Sequence, residues 1–152
     1  MSATGKNTID MLSTGELGFL VSAVRSSIWD AIETELAPLD ISPAQFVVFN
    51  CIALGKGRTI GEFCRLLGYD SGAMTRLLDR MEKKSLVRRV TNPEDRRSYL
   101  VELTAESKAM FPQARRRVEA VFHRLLAGFS DAQAKAFKRS LEHVLANAAS
   151  MH

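Results

Sequence analysis

Apolar residues recur along this chain at two different spacings, and each spacing predicts a local structure. Over most of the length they return every three or four positions, which is typical of an α-helix with one buried face. This pattern predicts helices over about 15 to 36, 43 to 54, 60 to 67, 71 to 84, 104 to 126 and 131 to 148. The chain is therefore expected to be mainly helical, with a bend at Pro112 inside the fifth helix, where proline removes a backbone donor.

Capping signals mark where several of these helices begin. A Ser or Thr followed three positions later by Glu or Gln can satisfy the free N–H groups of a first helical turn. Four such pairs occur: Ser13 with Glu16, Ser42 with Gln45, Thr59 with Glu62, and Ser130 with Gln133. Each pair opens a segment of helical periodicity, so these helix starts are predicted independently of the apolar pattern.

The segment from 87 to 103 departs from helical spacing. Residues 99 to 103 alternate with a period of two, which predicts a strand, and residues 87 to 91 can form the facing strand. The intervening turn, 92 to 97, is proline-containing and charged, so we expect an exposed hairpin tip. This is the one predicted β element.

The order of elements predicts the fold. A helix, a tight turn, a second helix and a hairpin form a winged helix-turn-helix, here over about 40 to 104. No linker separates this segment from the helices at the two chain ends, so we expect a single domain over 1 to 152. Apolar positions predicted to face inward are Phe46, Phe49 and Ile52 on the second helix and Met74, Leu77, Leu78 and Met81 on the fourth.

Positive charge is concentrated in the middle of the sequence. The net charge is +4, but residues 55 to 100 hold eleven Lys and Arg against six Asp and Glu. The rest of the chain is close to neutral. A basic segment inside a neutral protein suits contact with nucleic-acid phosphates.

The exposed face of the helix over 71 to 84 is the first candidate DNA contact. An α-helix fits the major groove, and arginine can pair with guanine through two hydrogen bonds. The candidate residues are Ser71, Thr75 and Arg76 near base edges, and Arg80 and Lys83 near phosphates. Without the adjacent hairpin, the same face would be interpreted as a solvated basic helix surface.

Two runs in this region resemble the multiple-antibiotic-resistance regulator (MarR) family. They are YDSGAMTRLLDRMEKKSLV, residues 69 to 87, and DRRSYLVELT, residues 95 to 104. The resemblance implies that the first run contains the recognition helix and that the second forms the wing. It further implies that Arg97 enters the minor groove while Asp95 helps to hold the wing tip in shape; a surface ion pair is the alternative. Arg88, Arg89 and Arg96 are candidates for additional phosphate contacts.

The resemblance also implies a homodimer that binds an imperfect palindrome in double-stranded DNA. Helices from both chain ends, about 10 to 37 and 105 to 150, would form its dimerisation lobe. Suitable apolar side chains are Val118, Val121, Phe122 and Leu125 on the fifth helix and Phe137, Leu141, Val144 and Leu145 on the sixth. The alternative is that these stripes serve only a core within one chain.

The resemblance implies release from DNA by a small aromatic or phenolic acid or a phenol, or by cysteine oxidation. Arg25 and Trp29 lie one helical turn apart, so they could hold the carboxylate and the ring of such an acid, with Phe49 completing a pocket. The alternative places Trp29 in a dimer core. Cys51 and Cys64 lack metal-site spacing and are interpreted as buried apolar residues, although a redox role for either stays open.

No pattern indicates a catalytic residue, a metal site or a cofactor. The sequence lacks paired nucleophile and base, metal-ligand spacing and a phosphate-binding glycine loop. No apolar stretch of about 20 residues predicts a membrane span, and we expect a cytoplasmic protein that is not an enzyme. The leading hypothesis is a ligand-released repressor, and the alternative from another class is a winged-helix module that binds an acidic protein.

Overall fold

The computed structural model describes residues 14–151 and is mainly helical. Helix α1 spans Thr14–Leu36 and is followed by a short 3-10 helix, Ala37–Leu39. The remaining elements are α2 (Pro43–Ala53), α3 (Ile60–Leu67), α4 (Ser71–Lys83), strands β1 (Val87–Thr91) and β2 (Tyr99–Leu103), α5 (Ala105–Leu125) and α6 (Asp131–Ala149). The predicted fold class is confirmed, and each predicted segment agrees with the observed bounds to within a residue or two.

Three of the four predicted capping boxes are present. Ser42 and Gln45 exchange hydrogen bonds across the first turn of α2, with Pro43 at its first helical position. The same reciprocal bonds join Thr59 with Glu62 at α3 and Ser130 with Gln133 at α6. The fourth pair includes Ser13, which lies outside the described residues.

The core of the first part of the chain forms where α2, α3, α4 and the hairpin meet. The four predicted inward residues of α4 are all buried, and so are Phe46 and Phe49 of α2. The prediction for Ile52 was wrong, since it is only half-buried and Cys51 takes the buried position beside it. Helix α4 contacts both α3 and β1, which fixes the helix beside the hairpin.

The hairpin is antiparallel, with Val87 opposite Leu103 and Arg89 opposite Val101. Directly opposite residues share a face of the pair. Val87, Val101 and Leu103 are all buried, so their face is the inner one. The hairpin is joined to the loop before α3, because the Val101 N–H donates to the Arg58 carbonyl oxygen at 2.8 Å.

The chain divides into two compact units between Val118 and Glu119, within α5. In the second unit, the rings of Phe129 and Phe137 meet edge to face with centroids 6.2 Å apart. Large apolar side chains here are exposed: Phe122, Leu125, Phe129, Phe137, Leu141, Val144, Leu145 and Met151. Val118 and Val121 are buried within the chain, so the prediction that they offer apolar surface to a partner was wrong.

Within the described residues, no single helix is both long and apolar enough to cross a membrane. The bent pair Gly15–Leu39 and Pro43–Ala53 meets that test only when its two halves are combined across an 82° break.

Candidate nucleic-acid interface

Helix α4 presents a polar, basic face on the side opposite its buried stripe. Asp70 caps the helix, its carboxylate accepting the Ala73 N–H at 2.8 Å. The predicted contact residues are all exposed: Ser71, Thr75, Arg76, Arg80 and Lys83. Three of them, Arg76, Arg80 and Lys83, are cations. Their side chains have no hydrogen-bond or ion-pair partner among residues 14–151, so their charge is available to a ligand.

The first turn of α4 has two features that shape its contact surface. The Thr75 hydroxyl donates to the Ser71 carbonyl oxygen at 2.7 Å. Gly72 lies beside Arg76, and a Cβ atom at this glycine would come within 3.4 Å of the Arg76 Nη1 atom. The arginine side chain therefore runs back along the helix towards its N-terminus, over the glycine.

The wing tip is held by its own hydrogen bonds. The Asp95 carboxylate accepts the Arg97 N–H at 3.0 Å, and the Asp95 carbonyl accepts both the backbone and the hydroxyl donor of Ser98 at 3.0 Å. The Asn92 amide donates to the Ser98 hydroxyl oxygen at 3.0 Å, while its oxygen accepts the Glu94 N–H. The family resemblance implies that Asp95 helps to shape the tip, and these bonds place both its carboxylate and its carbonyl oxygen on donors of the turn.

The side chains of Arg96 and Arg97 are exposed at this tip. Neither is hydrogen-bonded or ion-paired to another residue of the described part of the chain. The backbone that carries them is thus fixed while their guanidinium groups are available. Such an arrangement suits insertion of an arginine into a narrow minor groove, where negative potential is concentrated.

The three arginines predicted as additional phosphate contacts differ in their surroundings. Arg96 is available, as described. Arg88 is 65% exposed but donates to the Glu102 carboxylate at 2.9 and 3.2 Å. Arg89 lies on the inner face of the hairpin and pairs with Asp79 and Glu82 of α4. The phosphate contact stays a prediction for Arg89, but two carboxylates already compensate its charge, so its guanidinium is less available than that of Arg96.

Glu102 joins the wing to the loop before α3. Besides Arg88, directly opposite on β1, it pairs with Arg58. The hydrogen bond from Arg88, with further bonding from Arg58, lowers the pKa of the Glu102 carboxyl from its ordinary value. Sequence reasoning missed this pair, although the strand register that places Arg88 opposite Glu102 could have indicated it.

A second carboxylate organises the start of α3. Glu62 accepts the N–H groups of Arg58 at 2.7 Å and Thr59 at 2.8 Å, and the Thr59 hydroxyl at 2.8 Å. The backbone bond from Arg58, followed by the two donors of Thr59, lowers the pKa of Glu62. Gly57 is required here, since a Cβ atom would lie 2.8 Å from that of Glu62.

Two of the three predicted ligand-binding residues are in contact. The Arg25 guanidinium carbon lies 5.4 Å from the centroid of the Trp29 ring, a cation–π contact on α1. Phe49, however, is 0% exposed and belongs to the core. The prediction that Phe49 completes a pocket with this pair was wrong for this conformation, because burial leaves its ring no surface for a ligand.

The cysteines differ in burial. Cys51 is buried, and its thiol donates to the Gly57 carbonyl oxygen at 3.6 Å. Burial raises the pKa of the Cys51 thiol, and the negative charge of Glu62 acts in the same direction. Since the thiolate is the reactive form, these surroundings disfavour oxidation of Cys51. Cys64 is half-buried, so the interpretation of both cysteines as buried was wrong for this one.

Comparison with known proteins places this geometry in a family. A model of the MarR family matches residues 39–98. The chain is 37% identical over 110 residues to the multiple antibiotic resistance protein MarR of Escherichia coli (strain K12), covering 72% of this chain and 76% of that protein. This chain belongs to the MarR family. The matched region contains α2, α3, α4, β1 and the wing tip.

Two solved structures extend the comparison beyond sequence. A cysteine-to-serine mutant of MarR from E. coli, complexed with operator DNA, matches with a TM-score of 0.76 at 33% identity, over 85% of this MarR-family chain and 93% of the other. CouR from Rhodococcus jostii RHA1, bound to p-coumaroyl-CoA, matches with a TM-score of 0.76 at 25% identity, over 85% and 91%. The family fold is therefore shared by a DNA-bound protein and by a protein bound to an aromatic thioester.

Proposed function

We propose that this chain is a sequence-specific DNA-binding transcriptional regulator that contacts duplex DNA with α4 and the wing. The observation that carries the proposal is a set of exposed cations on those two elements that have no partner among residues 14–151: Arg76, Arg80, Lys83, Arg96 and Arg97. The DNA complex of the E. coli relative supports it.

The proposed mode of binding assigns different work to the two elements. Helix α4 lies in the major groove, with Ser71, Thr75 and Arg76 at base edges and Arg80 and Lys83 at phosphates. Arg97 enters the adjacent minor groove from a tip that Asp95 holds in shape, and Arg96 contacts a phosphate. Base contacts then select the sequence, while phosphate contacts supply most of the salt-dependent affinity.

The regulator acts as a homodimer on an imperfect palindrome. The exposed apolar side chains of α1 and of residues 119–151 support a second copy as partner, because monomeric proteins rarely leave large apolar patches in water. Two copies related by a two-fold axis place two α4 helices on half-sites about one helical turn of DNA apart.

The regulator is proposed to act in the cytoplasm as a repressor that a small aromatic acid releases from DNA. Occupation of an operator that overlaps a promoter would exclude the transcription machinery. The neighbour that holds p-coumaroyl-CoA supports an aromatic acid or its ester as effector class. The Arg25 and Trp29 pair on α1 is the candidate contact for it, now without Phe49.

The first test is binding of the purified protein to the DNA upstream of its own coding sequence, against a scrambled duplex, over a salt series. We expect tight, salt-sensitive preference for the upstream DNA. Arg97→Ala should weaken that binding about tenfold or more and make its salt dependence shallower by about one counterion per subunit, since it removes a minor-groove contact.

Arg116→Ala is the matched control, because Arg116 is an exposed arginine of α5 and the substitution removes the same charge. It should bind the upstream duplex nearly as tightly as wild type. Equal, weak binding of the wild type to both duplexes would overturn the proposal and favour the protein-interaction module, whose basic face would then bind an acidic partner.

A further inference from the structure

Arg89 occupies an unusual place for an arginine of a basic wing. It lies opposite Val101 on the inner face of the hairpin, the face that also carries the buried Val87 and Leu103. Its side chain is only 22% exposed. The side chain of Arg89 therefore points towards α4 and not towards the solvent that covers the outer face of the hairpin.

The helix meets this side chain with two carboxylates. The Arg89 Nη2 atom donates to Asp79 at 2.7 Å, and Nη1 donates to Glu82 at 2.6 Å. The backbone N–H of Arg89 also donates to the other carboxylate oxygen of Glu82 at 3.2 Å. Asp79 and Glu82 are three positions apart and so share one side of α4. One guanidinium group therefore joins β1 to the middle and to the end of the helix.

We propose that Arg89 is a positioning residue that fixes the wing relative to the recognition helix and thereby sets the sequence specificity of DNA binding. The inference rests on the proposed function and adds a device to it. Arginine is suited to this task because its planar fork holds two carboxylates at once, whereas the lysine ammonium is a compact charge on a flexible stem. The acids of α4 that bind Arg89 would thus favour DNA binding despite their negative charge.

The proposed effect of these acids on DNA affinity is opposite to the effect expected from net charge, so the two can be distinguished. Removing a negative charge from a DNA-binding surface strengthens binding when only net charge matters. Removing Glu82 should instead weaken specific binding if the wing loses its fixed place. Glu82→Gln preserves shape while removing the charge, and Glu106→Gln changes the charge equally at an exposed position in the first turn of α5.

The experiment measures the dissociation constants of both variants for the upstream and scrambled duplexes at one salt concentration. For Glu82→Gln we expect the ratio of the two constants to fall about tenfold, with binding to the scrambled duplex unchanged or tighter. Glu106→Gln should keep the wild-type ratio. Arg89→Lys, which conserves charge, should behave like Glu82→Gln. An unchanged ratio in Glu82→Gln and Arg89→Lys would overturn the proposal.

A second measurement uses the free protein and does not depend on any DNA sequence. Residual dipolar couplings of backbone N–H groups report the orientation of the hairpin relative to α4. These couplings should fit one fixed orientation in the wild type and in Glu106→Gln, and should be averaged over β1 and β2 in Glu82→Gln. If the wild type shows no preference for upstream DNA, the proposed function fails, and the couplings alone decide whether Arg89 fixes the wing: unchanged couplings in Glu82→Gln overturn it.

Discussion

Arginine residues of the winged-helix lobe form two groups, which differ in whether a carboxylate of the chain pairs with the guanidinium group. Arg58, Arg88 and Arg89 are bound to carboxylates within the chain, whereas the arginines at the wing tip are available. The sequence alone could not separate the two groups, because the difference depends on which carboxylates the fold brings within reach of each guanidinium group.

The contact between Arg25 and Trp29 on α1 gives a prediction about effector binding. Trp29 is the single tryptophan of the chain, so its fluorescence reports directly on the candidate effector contact. We expect saturable quenching by benzoate, and Arg25→Gln should raise the dissociation constant about tenfold, because the variant loses a charged partner for the carboxylate. A fluorescence titration checks this.

Arg116→Gln is the control for the same loss of charge, and it should leave the titration unchanged. Quenching that does not saturate, or that is equal in Arg25→Gln and wild type, would contradict the assignment of the effector contact to this pair.

Elements that depend on local signals were predictable, and those that depend on distant contacts were not. The boxes at Ser42, Thr59 and Ser130 fixed three helix starts because a cap needs only four consecutive residues. The hydrogen bond between Val101 and Arg58 joins the hairpin to the loop before α3. Its two residues are more than 40 positions apart, so it leaves no periodic signal in the sequence. Likewise, the sequence assigned Phe49 both to the buried face of α2 and to a ligand pocket, and its complete burial decides for the core.

The start of α3 gives a prediction of pH dependence. Because hydrogen bonds lower the pKa of Glu62 in the folded state, its stabilising effect is present above the ordinary value of 4.5 and is lost as the pH falls through the folded value. Glu62→Gln should therefore lower the melting temperature clearly at pH 7 and progressively less below 4.5. Thermal unfolding followed by circular dichroism at a series of pH values measures the difference.

Glu106→Gln serves as the comparison, since its carboxyl group is exposed and its effect should be small at every pH. A melting difference between wild type and Glu62→Gln that stays constant across the series would show that the charge of Glu62 does not contribute.

At the scale of the whole molecule, the exposed apolar side chains predict self-association. Leu145 is 69% exposed on α6, an unfavourable position for leucine in an isolated chain. Leu145→Glu should convert a dimer into a monomer and weaken operator binding, because one chain engages only one half-site. Sedimentation velocity and operator titration on the same samples measure both effects.

Lys135→Gln, elsewhere on α6, produces the same change of charge at an exposed polar position and should remain dimeric. A wild-type protein that sediments as a monomer at all concentrations would contradict the dimer.

The internal pairing of carboxylates has a kinetic consequence. Asp79, Glu82 and Glu102 are bound to arginines within the winged-helix lobe, and Glu62 is bound to backbone donors. Much of the negative charge of the lobe is therefore locally compensated. Within residues 14–151, no carboxylate compensates the cations Arg76, Arg80 and Lys83 of α4 or Arg96 and Arg97 of the wing tip. A surface of this kind attracts a polyanion before contact and orients it during diffusion, which speeds association and makes its rate sensitive to ionic strength. The close contacts then govern how long the complex lasts. The acids that hold the wing do not reverse the positive long-range field, because arginines within the lobe compensate their charge.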